Sequence, residues 1–207
     1  MRRLWLRQTG AARLIVIFGG WALGPAPFRH LAGAEDVLFL DDWRSPAEPL
    51  PELAAYAQAD LLAFSFGVAA AGHWLTDHGD PFAHKVAVNG TFFPSDPTRG
   101  ISPELIRATA DELTSESLAR FRRRAGFADG KDSPPDLAAL RAELLAVAAR
   151  PPAPACSFDR IWLSERDRIF PPEAMARAWQ ADAARIRAIA APHCPFAQWR
   201  DWAEVLA

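Results

Sequence analysis

Short apolar runs alternate with longer, alanine-rich stretches along this chain. The clearest run, residues 14–18, is rich in β-branched residues and ends at Gly19-Gly20, which predicts a buried strand. Four further runs of this kind cover residues 37–40, 61–64, 85–88 and 160–163. A weaker sixth run covers residues 185–190, although this stretch could instead be the end of a helix. Residues 4–7, followed by Gln8-Thr9-Gly10, predict an additional N-terminal strand in a hairpin. Strands separated by helices imply a parallel sheet with helices on both faces, so the predicted fold class is α/β.

One segment, residues 94–154, departs from this alternation because it contains no convincing strand. Residues 103–124 carry apolar side chains at three- and four-residue spacing, which is typical of a helix, and residues 136–150 show a second, alanine-rich helical pattern. Helices inserted between late strands of such a sheet commonly cover its site. Proline-rich linkers punctuate the segment at residues 132–135 and 151–154.

Composition is compatible with an enzyme but does not identify one. The chain has 207 residues, 50% of them hydrophobic, and we predict a single domain over residues 1–207 with residues 95–154 inserted as a helical cap. A net charge of −2 gives no overall attraction to nucleic acid or membrane. Cys156 and Cys194 have neither disulfide-framework nor metal-ligand spacing, so we expect no metal or cofactor and a reduced, cytoplasmic protein. Charged residues interrupt the apolar positions after Met1, which argues against a signal peptide or membrane span.

Ser65 lies where the third apolar run meets a small-residue stretch, residues 68–77, that is predicted to be helical. A strand that turns sharply into a helix with serine at the apex is a nucleophile elbow. Small residues are needed on both sides because strand and helix pack closely there. The usual pattern is Gly-x-Ser-x-Gly; Gly67 keeps its second glycine, and Ala63 replaces the first.

The residues that directly follow the strands supply the other groups of a hydrolase site. Active sites of open α/β sheets lie at the carboxyl ends of the strands, where Asp167 follows the fifth run and His193 the sixth. The order Ser, Asp, His is that of the α/β-hydrolases. A serine needs an imidazole to accept its proton, and the imidazole needs a carboxylate to hold its tautomer. The Gly19-Gly20-Trp21 loop and the Phe66 amide could form an oxyanion hole.

Each of these residues also has a structural interpretation. A serine after a buried strand is commonly a turn or cap residue. Asp167 could cap a helix or pair with a neighbouring arginine, and His193 could be an ordinary loop histidine. The remaining histidines do not follow a strand, which favours structural roles for His30, His73, His78 and His84. The order of the three candidates, together with their positions at the ends of strands, favours a hydrolase triad.

With its flanking stretches, this set resembles the BioG-type pimeloyl-[acyl-carrier protein] methyl ester esterases of biotin synthesis. The most specific stretch is Ala87-Val88-Asn89-Gly90-Thr91, because many esterases share the triad alone. The elbow of that family also lacks the first glycine, so Ala63 agrees with the resemblance. The other matching stretches are residues 18–21, 64–68, Pro94, 100–101, 120–124, 164–170, His193, Phe196, Trp199 and Trp202.

The resemblance implies hydrolysis of the methyl ester at the far end of a pimeloyl chain carried by acyl carrier protein, with release of methanol. It implies Ser65 as nucleophile, His193 as general base and Asp167 as orienting acid, with the Trp21 and Phe66 amides as the oxyanion hole. Acyl carrier proteins are strongly acidic, and the candidate docking residues are Arg107, Arg120, Arg122, Arg123 and Arg124. The same arginines could instead form a solvated helix face with nearby acidic partners.

Two other function classes stay open at this point. The chain could be a general short-acyl esterase or thioesterase without preference for a carrier. It could also be a non-catalytic binding protein with an α/β-hydrolase-like fold, although the complete set of triad residues disfavours this.

Overall fold

Within residues 1–127 and 136–207, which the computed structural model describes, seven strands form a single sheet. They are β1 (Arg2–Arg7), β2 (Arg13–Phe18), β3 (Asp36–Asp41), β4 (Gln58–Phe64), β5 (His84–Val88), β6 (Arg160–Ser164) and β7 (Ile186–Ile189). Their order across the sheet is β1-β3-β2-β4-β5-β6-β7, and only the β1–β3 pair is antiparallel among these strands. The six apolar runs are thereby confirmed as strands, including the weak sixth one.

The helices follow the strands in the alternation that the sequence predicts. They are α1 (Phe66–His78), α2 (Pro103–Asp111), α3 (Ser115–Arg124), α4 (Leu137–Ala149), α5 (Pro172–Ala178) and α6 (Trp202–Leu206). Short 3-10 turns add Ala26–Phe28, Pro51–Ala55, Gln180–Arg185 and Phe196–Gln198. In the described part of the chain, none of the helices has both the length and the apolar character that a membrane crossing requires.

The predicted N-terminal hairpin is wrong in its pairing. β1 is a strand, but it pairs with β3, because both edges of β2 are occupied by β3 and β4. Asp36 holds the connection by accepting hydrogen bonds from the N–H groups of Thr9 (2.6 Å) and Gly10 (3.0 Å). Burial alone would raise the pKa of this carboxyl, but these bonds and one from the Tyr56 hydroxyl outweigh it and lower the pKa to about 2. The turn after β1 is therefore built around a buried carboxylate.

The central strands are buried on both faces, and each face has its own core. In β2, Leu14, Val16 and Phe18 point to one side, whereas Ile15 and Ile17 point to the other. Residues of α1 and of the helices between β5 and β6 complete the first core, while the loop after β2 and the C-terminal residues complete the second. Burial on both faces explains why these strands are continuous apolar runs.

Helices α2, α3 and α4, called the inserted helices below, lie between β5 and β6. The pattern over residues 103–124 predicts one helix there, but the chain forms two. Thr114 begins α3 with a capping box: its hydroxyl accepts the Ser117 N–H, and the Ser117 hydroxyl accepts the Thr114 N–H. Such local bonds compete with a continuous helix. The predicted linker at residues 132–135 lies outside the described residues, and the cap boundaries 95–154 stay a prediction.

Candidate active site

Ser65 occupies a strained turn between β4 and α1. Its φ of 58° and ψ of −124° lie in a region that residues other than glycine rarely adopt. The Ser65 N–H donates to the Val88 carbonyl at 2.9 Å, which fixes the turn against β5. The side chain makes no capping hydrogen bond to α1, so the hydroxyl is not used as a helix cap. The backbone has the geometry of a nucleophile elbow.

The small residues around Ser65 allow close packing at the elbow. A Cβ atom on Gly67 would lie 2.0 Å from the Phe18 carbonyl oxygen, so α1 can approach β2 only with glycine at this position. A Cβ atom on Gly20 would lie 2.9 Å from the Ser65 Cβ. Ala63 is fully buried within β4, where its methyl group is accommodated. The missing first glycine therefore does not prevent the turn.

Ser65, His193 and Asp167 form a continuous chain of hydrogen bonds. His193 Nε2 lies 3.1 Å from Ser65 Oγ, and His193 Nδ1 lies 2.7 Å from Asp167 Oδ2. The three residues are only 5%, 1% and 6% exposed in the order Ser65, His193, Asp167. Because an ionised carboxylate only accepts hydrogen bonds, Nδ1 carries the proton and Nε2 presents its lone pair to the serine hydroxyl. This tautomer is the one that can remove a proton from serine.

The acid and the imidazole are both held by their surroundings. The second carboxylate oxygen of Asp167 accepts the N–H groups of Ile169 (2.7 Å) and Phe170 (2.9 Å). The His193 ring lies near two aromatic rings, with its centroid 5.0 Å from that of Phe64 and 6.1 Å from that of Phe170. These contacts restrict rotation of both side chains. Asp167 therefore contacts the imidazole directly. It is not the cap of the following helix, because the N-cap of α5 is Pro171.

Trp21 and Phe66 carry the two backbone amides that are expected to form an oxyanion hole. Trp21 lies in the turn after β2, and Phe66 is the first residue of α1, where backbone N–H groups lack a partner within the helix. Neither N–H donates to a protein acceptor in residues 1–127 and 136–207. The N-terminus of α1 adds a favourable dipole for negative charge.

An apolar pocket opens at Ser65. All three inserted helices contribute to its lining, together with the loop after β2; the main apolar residues are Trp21, Phe66, Ile106, Phe121, Leu144 and Ile169. Leu105 also lines it although it is 50% exposed, and the exposed Arg124 lines it as well. These two side chains mark the mouth of the pocket. An apolar site with a few polar groups suits an acyl chain.

A second, polar cleft is lined by residues of β1, β3, α4 and the loop after β2. The Trp21 ring, which lines the apolar pocket, packs edge-on against Phe121 at 4.7 Å and donates its Nε1–H to the carbonyl of Leu140, a residue that lines the cleft, at 2.9 Å. Glu143 of α4 lines the cleft; it is 4% exposed and accepts the Trp43 N–H at 3.2 Å. Burial raises the pKa of Glu143 to about 8, so its carboxyl is protonated at neutral pH.

The five candidate docking arginines differ in their surroundings. Arg107, Arg120, Arg123 and Arg124 are exposed, whereas Arg122 is half-buried and donates to the Ala22 carbonyl at 3.0 Å. Arg120 pairs with Glu116 at 2.6 Å along α3, as the solvated-face alternative predicts. Arg107 and Arg123 are thus the better candidates for a surface that meets a partner, since Arg124 also lines the pocket.

The two cysteines and three of the other histidines, His30, His78 and His84, have structural surroundings. Burial raises the pKa of both the Cys156 and the Cys194 thiol to about 12, which makes each a poor nucleophile at neutral pH. His30, His78 and His84 each have a ring nitrogen within hydrogen-bond distance of a backbone carbonyl. Among the described residues, no cluster of His, Cys, Asp and Glu could hold a metal ion.

The sheet order, the elbow and the hydrogen-bonded Ser-His-Asp set define an α/β-hydrolase, which confirms the predicted fold class. An esterase from Exiguobacterium antarcticum shares the fold, with a TM-score of 0.60 and 14% identity over 91% of this chain and 84% of that one. The family described as "Pimeloyl-ACP methyl esterase BioG" matches residues 1–205, and the chain belongs to this family. It is therefore a hydrolase of the carboxylesterase type.

Two further relatives match this chain. The crystal structure of BioG from Haemophilus influenzae has a TM-score of 0.85 and 26% sequence identity, and the match covers 100% of both chains. A protein of Bacteroides fragilis named malonyl-[acyl-carrier protein] O-methyltransferase is 32% identical over 178 residues. That match covers 80% of this chain and 36% of the relative, so the chain spans about a third of that protein's length.

Proposed function

We propose that this chain hydrolyses the methyl ester of pimeloyl-acyl carrier protein during biotin synthesis and releases methanol. The carrying observation is the chain of hydrogen bonds from Ser65 through His193 to Asp167, at 3.1 and 2.7 Å, at the base of an apolar pocket in a BioG-family member. The Bacteroides fragilis relative supports a carrier-bound methyl ester as substrate, because its name describes methyl transfer to a carrier-bound acid.

The mechanism follows from the roles that these groups can take. His193 Nε2 accepts the proton of the Ser65 hydroxyl as its oxygen attacks the ester carbonyl, and Asp167 stabilises the resulting imidazolium. The Trp21 and Phe66 amides donate to the oxyanion, each contributing roughly 3–4 kcal/mol. His193 then protonates the departing methoxide, which leaves as methanol. Water attacks the acyl-enzyme in the same way and releases the free carboxylate, still attached to the carrier.

The pocket supports a substrate whose far end is an ester and whose near end is attached to a large carrier. The apolar lining suits the methylene chain, and an exposed Leu105 beside Arg124 at the mouth offers both apolar contact and positive charge where the carrier would arrive. We propose that Arg107 and Arg123, on α2 and α3, extend this positive charge and contact the acidic carrier protein. The area around the mouth is then the docking surface.

Reversing the charge of this surface is expected to separate carrier recognition from chemistry. In the double variant Arg107→Glu with Arg123→Glu, kcat/KM for the carrier-linked methyl ester should fall by about 10-fold or more, because charge complementarity mainly sets the association rate. Hydrolysis of a small p-nitrophenyl ester should stay unchanged, since neither arginine lines the pocket. Steady-state kinetics on both substrates measure the difference.

The matched control carries the same charge change on the edge strands β1 and β7. Arg7→Glu with Arg187→Glu replaces two exposed arginines outside the inserted helices and should leave both activities near those of the unmodified chain. Equal loss on both substrates in the Arg107 and Arg123 variant would contradict docking at this surface. An equal loss on the carrier-linked ester in the control would show that net charge alone matters.

A further inference from the structure

Asn89 is a buried polar residue at the carboxyl end of β5 whose role the ester-hydrolysis mechanism leaves open. It is fully buried, and its φ of 47° lies in the left-handed region, which asparagine tolerates better than most residues. Its N–H donates to the Trp162 carbonyl of β6 at 3.0 Å. The residue therefore sits at a fixed, strained position between two central strands, on the same edge of the sheet as Ser65.

The carboxamide of Asn89 makes three short hydrogen bonds to two neighbouring segments. Its Nδ2 donates to the His193 carbonyl and to the Ser164 hydroxyl, both at 2.7 Å, and its Oδ1 accepts the Ser164 N–H at 2.7 Å. A carbonyl only accepts and an amide N–H only donates, so the two backbone partners determine which way the carboxamide points. An aspartate carboxylate, which has no donor, could not make the bond to His193.

These bonds join the loop that contains His193 to the end of β6, which leads directly to Asp167. Ser164 is the last residue of β6, and its carbonyl accepts the Asp167 N–H at 3.3 Å. His193 lies in the loop after β7, and its neighbour Cys194 donates its N–H to the Ala125 carbonyl at the end of α3. The backbone of His193 is thus held from one side by Asn89 and from the other by an inserted helix.

Gly90 and Thr91, the two residues after Asn89, contact the backbone of the nucleophile and the segment that leads to the inserted helices. A Cβ atom on Gly90 would lie 2.2 Å from the Ser65 carbonyl oxygen, so this stretch packs directly against the elbow. The Gly90 carbonyl accepts the Trp179 Nε1–H at 2.8 Å. The Thr91 hydroxyl donates to the Arg99 carbonyl at 2.9 Å. One short stretch therefore contacts the backbone of the nucleophile, the backbone of the base and the entrance to the inserted helices.

We propose that Asn89 is a positioning residue for the ester hydrolysis, a role that rests on the proposed Ser-His-Asp mechanism. Through its bonds to the His193 carbonyl and the Ser164 backbone N–H, it sets where the imidazole stands between Ser65 and Asp167. Loss of the His193 bond leaves that carbonyl buried without its donor and frees the loop to move. Misplacement of a catalytic group by about 1 Å can cost about 100-fold in rate, so the effect should appear in kcat.

Two variants test this role, with Ser164→Ala as the matched control. Asn89→Asp keeps the shape and the acceptor for the Ser164 N–H but removes both donors, and Asn89→Gly keeps the positive φ but removes the carboxamide. Each should lower kcat by about 10- to 100-fold with KM nearly unchanged. Ser164→Ala removes only the hydroxyl partner, so its kcat should stay within about threefold of the unmodified enzyme.

A spectroscopic signal distinguishes positioning from simple stabilisation. The proton shared between His193 Nδ1 and Asp167 should give a far-downfield proton resonance, which we expect in the unmodified chain and in Ser164→Ala but shifted or lost in Asn89→Asp. Folded Asn89 variants with a lower melting temperature but an unchanged kcat and an unchanged resonance would overturn the proposal. Because Asn89→Asp keeps the shape, it decides the question if Asn89→Gly does not fold.

The Ser65→Ala chain, assayed in parallel, separates this proposal from the proposed function. An inactive Ser65→Ala with fully active Asn89 variants would contradict the positioning role alone. An active Ser65→Ala would contradict the mechanism and with it the role of Asn89.

Discussion

Replacement of Ser65 by alanine is expected to lower ester hydrolysis by at least about 10⁴-fold, since a triad without its nucleophile retains only binding and oxyanion stabilisation. The fold should persist. The change removes the hydrogen bond between the Ser65 hydroxyl and His193, but it leaves the bond from the Ser65 N–H to the Val88 carbonyl, which fixes the turn. Alanine also keeps a Cβ atom, so the strain at φ of 58° is the same. Initial rates with a p-nitrophenyl ester, together with a melting curve, measure both expectations.

An exposed serine provides the control for this change. Ser115→Ala, at the start of α3, should leave the rate unchanged. A fluorophosphonate, which labels activated serines, should modify the unmodified chain and Ser115→Ala at Ser65 and should not label Ser65→Ala. Labelling that fails in the unmodified chain would favour the non-catalytic alternative. Hydrolysis retained by Ser65→Ala would show that another group is the nucleophile.

The second large effect concerns stability. Glu143→Gln is expected to raise the free energy of unfolding by a few kcal/mol at pH 9 and to change it little at pH 4. Burial raises the pKa of Glu143 from 4.5 to about 8. The hydrogen bond from the Trp43 N–H and the charge of Arg44 oppose this increase, whereas the charges of Asp41 and Asp42 add to it. Each unit of difference between folded and unfolded pKa corresponds to about 1.4 kcal/mol. Urea denaturation at the two pH values measures the change.

The direction of the pH dependence follows from which state holds the proton. Below pH 4.5, the ordinary pKa of a glutamate, Glu143 is protonated in both the folded and the unfolded chain. The stabilisation that the folded state gains from the protonated carboxyl is then fully present. As pH rises towards about 8, the unfolded chain releases the proton while the folded chain retains it, so the folded state loses stability. Glutamine has no such proton, yet its side-chain carbonyl still accepts the Trp43 N–H.

An exposed glutamate of the inserted helices gives the comparison. Glu104→Gln, in the first turn of α2, should change stability by less than about 0.5 kcal/mol at either pH. A stability gain for Glu143→Gln that is equal at pH 4 and pH 9 would contradict the buried, protonated state of Glu143. A loss of stability at pH 9 would show that the ionised carboxylate is favourable where it stands.

The sequence predicts the strands well because burial on both faces makes them continuous apolar runs, as in β2. Pairing depends on the whole sheet, so the partner of β1 could not be obtained from residues 4–10 alone. The break between α2 and α3 had a local signal in Thr114 and Ser117, which form a capping box, but the apolar spacing continues across it and favours one helix.

Most of the candidate site could be predicted because its residues directly follow strands, and the strands themselves are predictable. Asp167 and His193 follow strands, and the carboxyl ends of parallel strands meet at one edge of the sheet. Asn89 also directly follows a strand, so the same criterion could have selected it. The environment of Glu143 had no sequence signal, because its burial and its pKa depend on how α4 packs against the residues after β3. The pocket mouth at Leu105 and Arg124 likewise depends on helix packing.

The central claim is attack by Ser65 on the methyl ester at the far end of the acyl chain. Intact-mass analysis after acid quenching of the enzyme with pimeloyl-acyl carrier protein methyl ester tests it most directly. Attack at the methyl ester predicts an enzyme bound through Ser65 to the pimeloyl chain with the carrier protein still attached, together with free methanol. A methyl pimeloyl group on Ser65 with release of the carrier thiol would contradict the account and identify a thioesterase.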